Sequence, residues 1–115
     1  MDRPALRRAC ALIPAGRWTT YGDLADALGA PGHARQVARL LARGGGIPNA
    51  HRVLRSTGRV ASGFRAGDCG GPEVARRLLE REGVGFDASG AADPARRWVP
   101  PGADPRGRLA VEGSE

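Results

Sequence analysis

The chain has 115 residues with 18 Arg, no Lys and 12 acidic residues, a formal net charge of +6, and this length holds one modest domain rather than two. A core of this size buries roughly two-thirds of the surface the unfolded chain exposes, so folding requires neither a metal nor disulfide staples, and Cys10 and Cys69 are not a framework. There is no run of 18 apolar residues and no basic-then-apolar leader, so neither a membrane span nor a secretion signal is expected, and a reducing cytoplasm is the expected compartment.

Asp2 is placed to cap a first helix with Pro4 in its first turn, where a missing amide hydrogen costs nothing. Leu6, Ala9, Cys10 and Ile13 then share one face, and Pro14-Ala15-Gly16 stops the helix. Thr20, followed three residues later by Asp23, reads as a capping-box variant. It opens a short second helix striped with Leu24, Ala25 and Leu28 and ending at Gly29. After the tight Ala30-Pro31-Gly32 connection, a third helix is predicted from His33 to Arg43, burying Ala34, Val37, Ala38 and Leu41. Arg35, Arg39 and Arg43 recur at a spacing of four on another face. Two short helices across a brief turn, the second striped with Arg, form the helix-turn-helix pattern.

Gly44-Gly45-Gly46 ends that helix, and Ile47 to Arg55 is predicted as an extended run, barred by Pro48 from a central strand position. Ser56-Thr57-Gly58 turns it back toward Arg59-Val60, a hairpin like the wing of a winged helix. A Gly-rich loop from Ser62 to Gly71 follows. Pro72 then opens a last helix with Val74, Ala75, Leu78 and Leu79 inward and Gly83 at its cap. Beyond Phe86 the chain is rich in Pro and Gly with Trp98 as its large anchor, and about the last 15 residues are expected to be loosely ordered. The expectation is a mostly α fold with a small β wing, a body over residues 1–86 and a partly disordered extension over 87–115.

Charge is unevenly placed. Residues 1–65 carry 11 Arg against three acids, a surplus of eight, whereas the remaining 50 carry seven Arg against nine acids. Such a basic body points to a polyanion, and nucleic acid is the commonest one for a soluble domain. A GC-rich genome accounts for Arg in place of Lys and for 20 Ala, but not for the scarcity of acids on one side.

Four blocks then carry a specific likeness. Ile13-Pro-Ala-Gly-Arg-Trp-Thr-Thr-Tyr-Gly-Asp-Leu-Ala25, His33-Ala-Arg-Gln-Val37, Ile47-Pro48 with His51-Arg-Val53, and Leu78-Leu-Glu-Arg-Glu-Gly-Val84 resemble, in order and near the expected spacing, the C-terminal domain of O6-alkylguanine-DNA alkyltransferases. The resemblance covers about residues 4–86 and implies a winged-helix-like DNA-binding domain with a helix-turn-helix, without the separate N-terminal domain of the repair enzymes. It departs at the family's Pro-Cys-His-Arg signature. Here the residues are Pro48-Asn49-Ala50-His51-Arg52, so alignment on His51-Arg52 puts Ala50 at the nucleophile position with Asn49 as an insertion. A methyl group cannot become a thiolate, and alkyl transfer has no acceptor. The chain is thereby similar to the Cys-less alkyltransferase-like proteins, many of which carry Trp at the lost position. That likeness implies binding of O6-alkylguanine in double-stranded DNA by nucleotide flipping, and recruitment of nucleotide excision repair proteins. It also implies a monomer, with no cofactor, metal or membrane partner.

Roles follow residue by residue from the same likeness. Tyr21, beside Thr20, matches the tyrosine that helps rotate the target nucleotide, and Arg35 matches the arginine that fills the hole left by the extruded base. Arg39 and Arg43 are assigned to phosphate contact or solvent. Gly32 and Ala34 would let the backbone approach phosphates in the minor groove, and His33 is either a contact or a capping neighbour. His51 and Glu82 match the base and carboxylate that would activate the missing thiol, and are expected to remain as structural bracing. Arg52 is expected to brace backbone carbonyls near the recognition helix. The lesion pocket is assigned to Asn49, Ala50, Val60, Ser62, Gly63 and Phe64, with Arg65, or else Arg59, reading the flipped base by cation-π contact.

Trp18 is expected in the core or an interface, and Cys10 in the core. Cys69 lies next to Asp68, which would raise its pKa, so it is not expected to replace the nucleophile. The rival reading is a transcriptional regulator or architectural protein using the same helix-turn-helix on intact DNA.

Overall fold

A computed structural model describes residues 3–42, 47–62 and 71–100. The expected roles of Asp2, Arg43, Gly63, Phe64, Arg65 and Cys69, and the loosely ordered tail, fall outside the described residues. Helix α1, Arg3–Ala11, buries Leu6 and Cys10, with Ile13 inward just past its end. Helix α2, Tyr21–Ala27, opens on Thr20, whose Oγ1 accepts the Asp23 amide hydrogen at 3.0 Å. It closes with a Schellman pair, Gly29 N–H to the Asp26 carbonyl at 3.0 Å and Ala30 N–H to the Ala25 carbonyl at 2.9 Å. Helix α3 spans Ala34–Ala42 and packs on α2, as a helix-turn-helix requires.

The small sheet differs from the expected hairpin. Strand β1, Thr19–Thr20, pairs in parallel with β2, Val53–Leu54, in the register Thr19 to Val53 and Thr20 to Leu54. The turn after β2 is closed by Gly58 N–H to the Arg55 carbonyl and Arg55 N–H to the Arg59 carbonyl, and among the described residues no ladder extends beyond it. Upstream of β2, the segment expected to be extended instead coils into a 3-10 turn, Ala50–Arg52. Alternation in β2 explains its full burial: Val53 enters a cluster with Leu6, Cys10, Ile13, Leu24, Val37 and Leu41, while Leu54 enters a second with Trp18, Leu79, Val84 and Ala92. Helix α4, Pro72–Arg81, supplies Ala75 and Leu79 to the core.

The packed unit continues past Phe86. Ala92 N–H donates to the Gly58 carbonyl at 2.9 Å, and Gly58 adopts φ 82°, where a Cβ would lie 3.3 Å from Ala92 N and 3.6 Å from the Trp18 ring. Glycine is required there by both backbone conformation and close approach. Trp18 Nε1 donates to the Asp93 carbonyl at 2.8 Å, and its main chain bonds Arg96 and Trp98 on either side. Trp18 is a core residue, and residues 87–100 form a strap over it. None of the helices among the described residues is long and apolar enough to cross a membrane.

This strap also alters the expected capping box. Asp23, 2% exposed, does not return a bond to Thr20; its Oδ2 accepts from Arg97 Nε at 3.2 Å and Nη2 at 2.8 Å. Arg97→Ala would strand a buried carboxylate. The expected result is a loss of about 2 kcal/mol, visible as a lowered melting temperature by circular dichroism; an unchanged melting temperature would refute the pairing's role.

Candidate nucleic-acid interface

A groove of about 870 Å³ opens where three elements meet. The start of α2 contributes Thr20, Tyr21 and Gly22; α3 contributes Ala34, Arg35, Ala38, Arg39 and Leu41; the segment after β2 contributes Arg55, Ser56, Ala61 and Ser62. Among the described residues, three arginines and no carboxylate line it, so its charge suits a phosphate backbone. Ala34 and Ala38, expected in the core, are only half-buried and form groove wall beside exposed Arg35 and Arg39. Residues this small leave the helix backbone open to close approach. The true core face of α3 is Val37 and Leu41.

Tyr21 is half-buried against the first apolar cluster. Burial pushes its phenol up to about 12, with the Arg55 charge offsetting part of that rise. Its hydroxyl is therefore a neutral group able to donate to an anion at neutral pH. Of the residues expected at DNA, Thr20, Tyr21, Ala34, Arg35 and Arg39 come together in this groove. Gly32 and His33 lie in the turn before α3, where His33 Nδ1 sits 3.2 Å from the carbonyls of Ala30 and Pro31, in keeping with the capping alternative.

A second constellation lies around Glu82, the residue that ends α4. Ionised Glu82 accepts from His51 Nε2 at 2.8 Å, from Arg52 Nε at 3.0 Å and Nη2 at 2.9 Å, and from the Gly16 amide at 3.3 Å. Burial alone would raise its carboxyl pKa, but the bonds from Arg52, His51 and Gly16 outweigh it and bring the value down to about 2. The side chains of His51, Arg52 and Glu82 retain 16, 13 and 18% exposure, so this clasp is largely shielded from water. Gly16 itself has φ 81°, and a Cβ there would lie 3.0 Å from the Glu82 carbonyl. Arg52 also reaches a carbonyl, as expected: that of Ile13, just past α1 (2.8 Å), whose side chain shares a buried cluster with Val37 and Leu41 of α3. Its ion pair with Glu82 has no local sequence signature, because the two residues are 30 positions apart.

The described residues assigned to the lesion pocket make different contacts. Ser62 lines the groove, Val60 packs on the second apolar cluster, and Ala50 packs on the first. Asn49 takes a left-handed conformation at φ 59° and donates its side-chain amide to the Cys10 carbonyl at 3.1 Å, pinning the 3-10 turn to the end of α1. Gly22, Arg55 and Ser56 are groove residues that sequence reasoning missed. Arg55 looks like one more basic residue after an apolar pair, and only the parallel register places it beside Tyr21. Cys10 is fully buried and its thiol is pushed up to about 12, so it is no substitute nucleophile.

The family described as 6-O-methylguanine DNA methyltransferase, DNA binding domain, matches residues 4–84. A DNA base-flipping protein of Escherichia coli is 39% identical over 94 residues, covering 76% of this chain and 67% of its own length. The structure of S. pombe Atl1 in complex with damaged DNA containing O6-carboxymethylguanine is similar at a TM-score of 0.62 and 25% identity, covering 87% of this chain and 100% of that one. The O6-methylguanine methyltransferase of Mycobacterium tuberculosis is similar at a TM-score of 0.58 and 34% identity, over 69% of this chain but only 46% of that longer one. The family match takes in α1 to α4, the groove and the Glu82 clasp, and the chain accordingly belongs to the 6-O-methylguanine DNA methyltransferase DNA-binding-domain family, as an alkyltransferase-like protein.

Proposed function

We propose that this protein is a non-enzymatic sensor of DNA damage, which flips O6-alkylguanine out of duplex DNA through the minor groove and marks it for nucleotide excision repair. The observation that carries this reading is the residue in front of the Glu82 clasp. Ala50 directly precedes His51 and, in the alignment on His51-Arg52, takes the place of the methyl-accepting cysteine. The hydrogen-bonded relay persists around a side chain that has no nucleophile. Relatives named for base flipping and a neighbour bound to O6-carboxymethylguanine DNA support the lesion as the ligand. The basic groove beside Tyr21 supplies a surface on which DNA would lie.

In this reading Tyr21 and Thr20 press on the backbone of the rotated nucleotide while Arg35 enters the duplex. Flipping costs a few kcal/mol of unstacking, and a planar guanidinium stacked in the vacated site offsets part of it. Asn49, Ala50 and the segment from Val60 to Arg65 would surround the extruded base. The test is competition binding between duplexes that differ only in O6-methylguanine or guanine. The lesion is expected to bind at least about tenfold tighter, the scale of single-base discrimination in protein–DNA complexes. Equal affinities would refute the reading. Intact-mass measurement after incubation with the methylated duplex should show the protein unchanged, and a stably added methyl would return the chain to the transferases.

A further inference from the structure

Among the described residues, Arg55 is the one arginine of the groove that does not come from α3. The parallel register that pairs Thr20 with Leu54 makes Tyr21 and Arg55 the next residues along the two strands. They therefore emerge side by side from the same end of the sheet. The backbone beneath Arg55 is held firmly: its N–H donates to the Arg59 carbonyl at 2.9 Å and its carbonyl accepts from Gly58 N–H at 2.8 Å. Its side chain is exposed, and no ion pair or side-chain hydrogen bond occupies it among the described residues. This contrasts with Arg52, spent on Glu82 and Ile13, and Arg97, spent on Asp23. A guanidinium fixed at its base, and at its tip meeting no carboxylate among the described residues of the groove, is suited to a bidentate anion contact.

Resting on the flipping function proposed above, we infer that Arg55 clamps a backbone phosphate flanking the extruded nucleotide, next to Tyr21 and from a different element than Arg35 and Arg39. The nucleotide's phosphate would then be gripped by the sheet end while α3 occupies the duplex. Arg55 acts here as a positioning residue for the flipped strand, and the ligand group is a phosphodiester rather than the alkylated base.

The experiment is a coupling measurement with the full chain. Wild type and Arg55→Ala are titrated against O6-methylguanine duplexes that have either native phosphates or a single neutral methylphosphonate, placed in turn on each side of the modified nucleotide. Arg55→Ala should weaken binding to the native duplex about tenfold and reduce the slope of log affinity against log salt by about one. One of the neutral linkages should weaken wild type comparably while leaving Arg55→Ala almost unaffected, the non-additivity that marks a direct pair. Additive losses at both linkages would overturn the inference. So would a variant that changes only the preference for O6-methylguanine over guanine, with an unaltered salt slope, because that outcome assigns Arg55 to the base. If wild type shows no lesion preference, the flipping function fails by itself, and the same linkage cycle still decides whether Arg55 holds a phosphate. An unchanged melting temperature for Arg55→Ala checks that the exposed substitution leaves the fold intact.

Discussion

Glu82→Ala is expected to lower folding stability by about 3–5 kcal/mol, with a fall in melting temperature of roughly 15 °C or more for a domain of this size. The magnitude follows from what the carboxylate holds. It ties α4 to the 3-10 turn through His51 and Arg52 and to the loop after α1 through the Gly16 amide, three segments far apart in sequence. Removing it leaves the largely shielded Arg52 guanidinium without its counter-charge, and that stranded charge dominates the loss. The exposed pair Arg76–Glu80 on the same helix is the internal control: at 45 and 48% exposure it is screened by water, and Glu80→Ala should change stability by no more than about 0.5 kcal/mol. Equal effects of the two substitutions in chemical denaturation would refute the importance of the clasp.

The same carboxylate gives a pH signature whose sign is fixed. Its folded pKa of about 2 lies below the ordinary value of 4.5, so its contribution is fully present above the ordinary value and is lost as pH falls toward 2. Glu82→Gln has no such titration and should show a flatter acid limb. An acid limb that overlays that of wild type would assign the acid sensitivity to other groups.

Arg35→Ala is expected to weaken binding to the O6-methylguanine duplex by about 10- to 100-fold, since the unstacking cost of a few kcal/mol would no longer be offset. Arg39→Ala should instead weaken lesion and undamaged duplexes about equally and reduce the salt slope by about one, as loss of a phosphate contact does. Both side chains are exposed in the groove, and neither supports the core. Their stabilities should therefore match wild type, which makes the binding comparison interpretable. If Arg39→Ala proves the more damaging on the lesion duplex, the intercalating role belongs one turn further along α3. Placement of Ala34 and Ala38 in the groove wall strengthens the expectation, because a helix with methyl groups flanking Arg35 can sit deeper in a minor groove than one with bulkier neighbours.

Much of the fold was legible because its determinants are local. The Thr20 cap, the Gly29 stop, the Pro72 start and the apolar faces of α1 and α4 are all encoded within three or four residues of where they act. The resemblance added His51, Glu82 and Tyr21 as positions of interest, and the structure puts the first two 2.8 Å apart and the third in the basic groove. Small apolar residues misled: an Ala reads as core by periodicity, yet Ala34 and Ala38 have little area to bury and stand at the groove instead. The wing misled for a different reason. A turn signal at Ser56-Thr57-Gly58 shows that the chain reverses, but not which strand then pairs with Val53-Leu54.

By itself, then, the amino-acid sequence determined the helices, their ends, the excess of positive charge in the first 65 residues and the absence of a cysteine before His51-Arg52. Tertiary structure alone decided which charged groups meet. Parallel pairing of β1 with β2 sets Arg55 beside Tyr21, the strap neutralises buried Asp23 with Arg97 across 74 residues, and Glu82 takes up Arg52. Each of these depends on which segments the two apolar clusters bring together, a property of packing the whole chain that no local window contains.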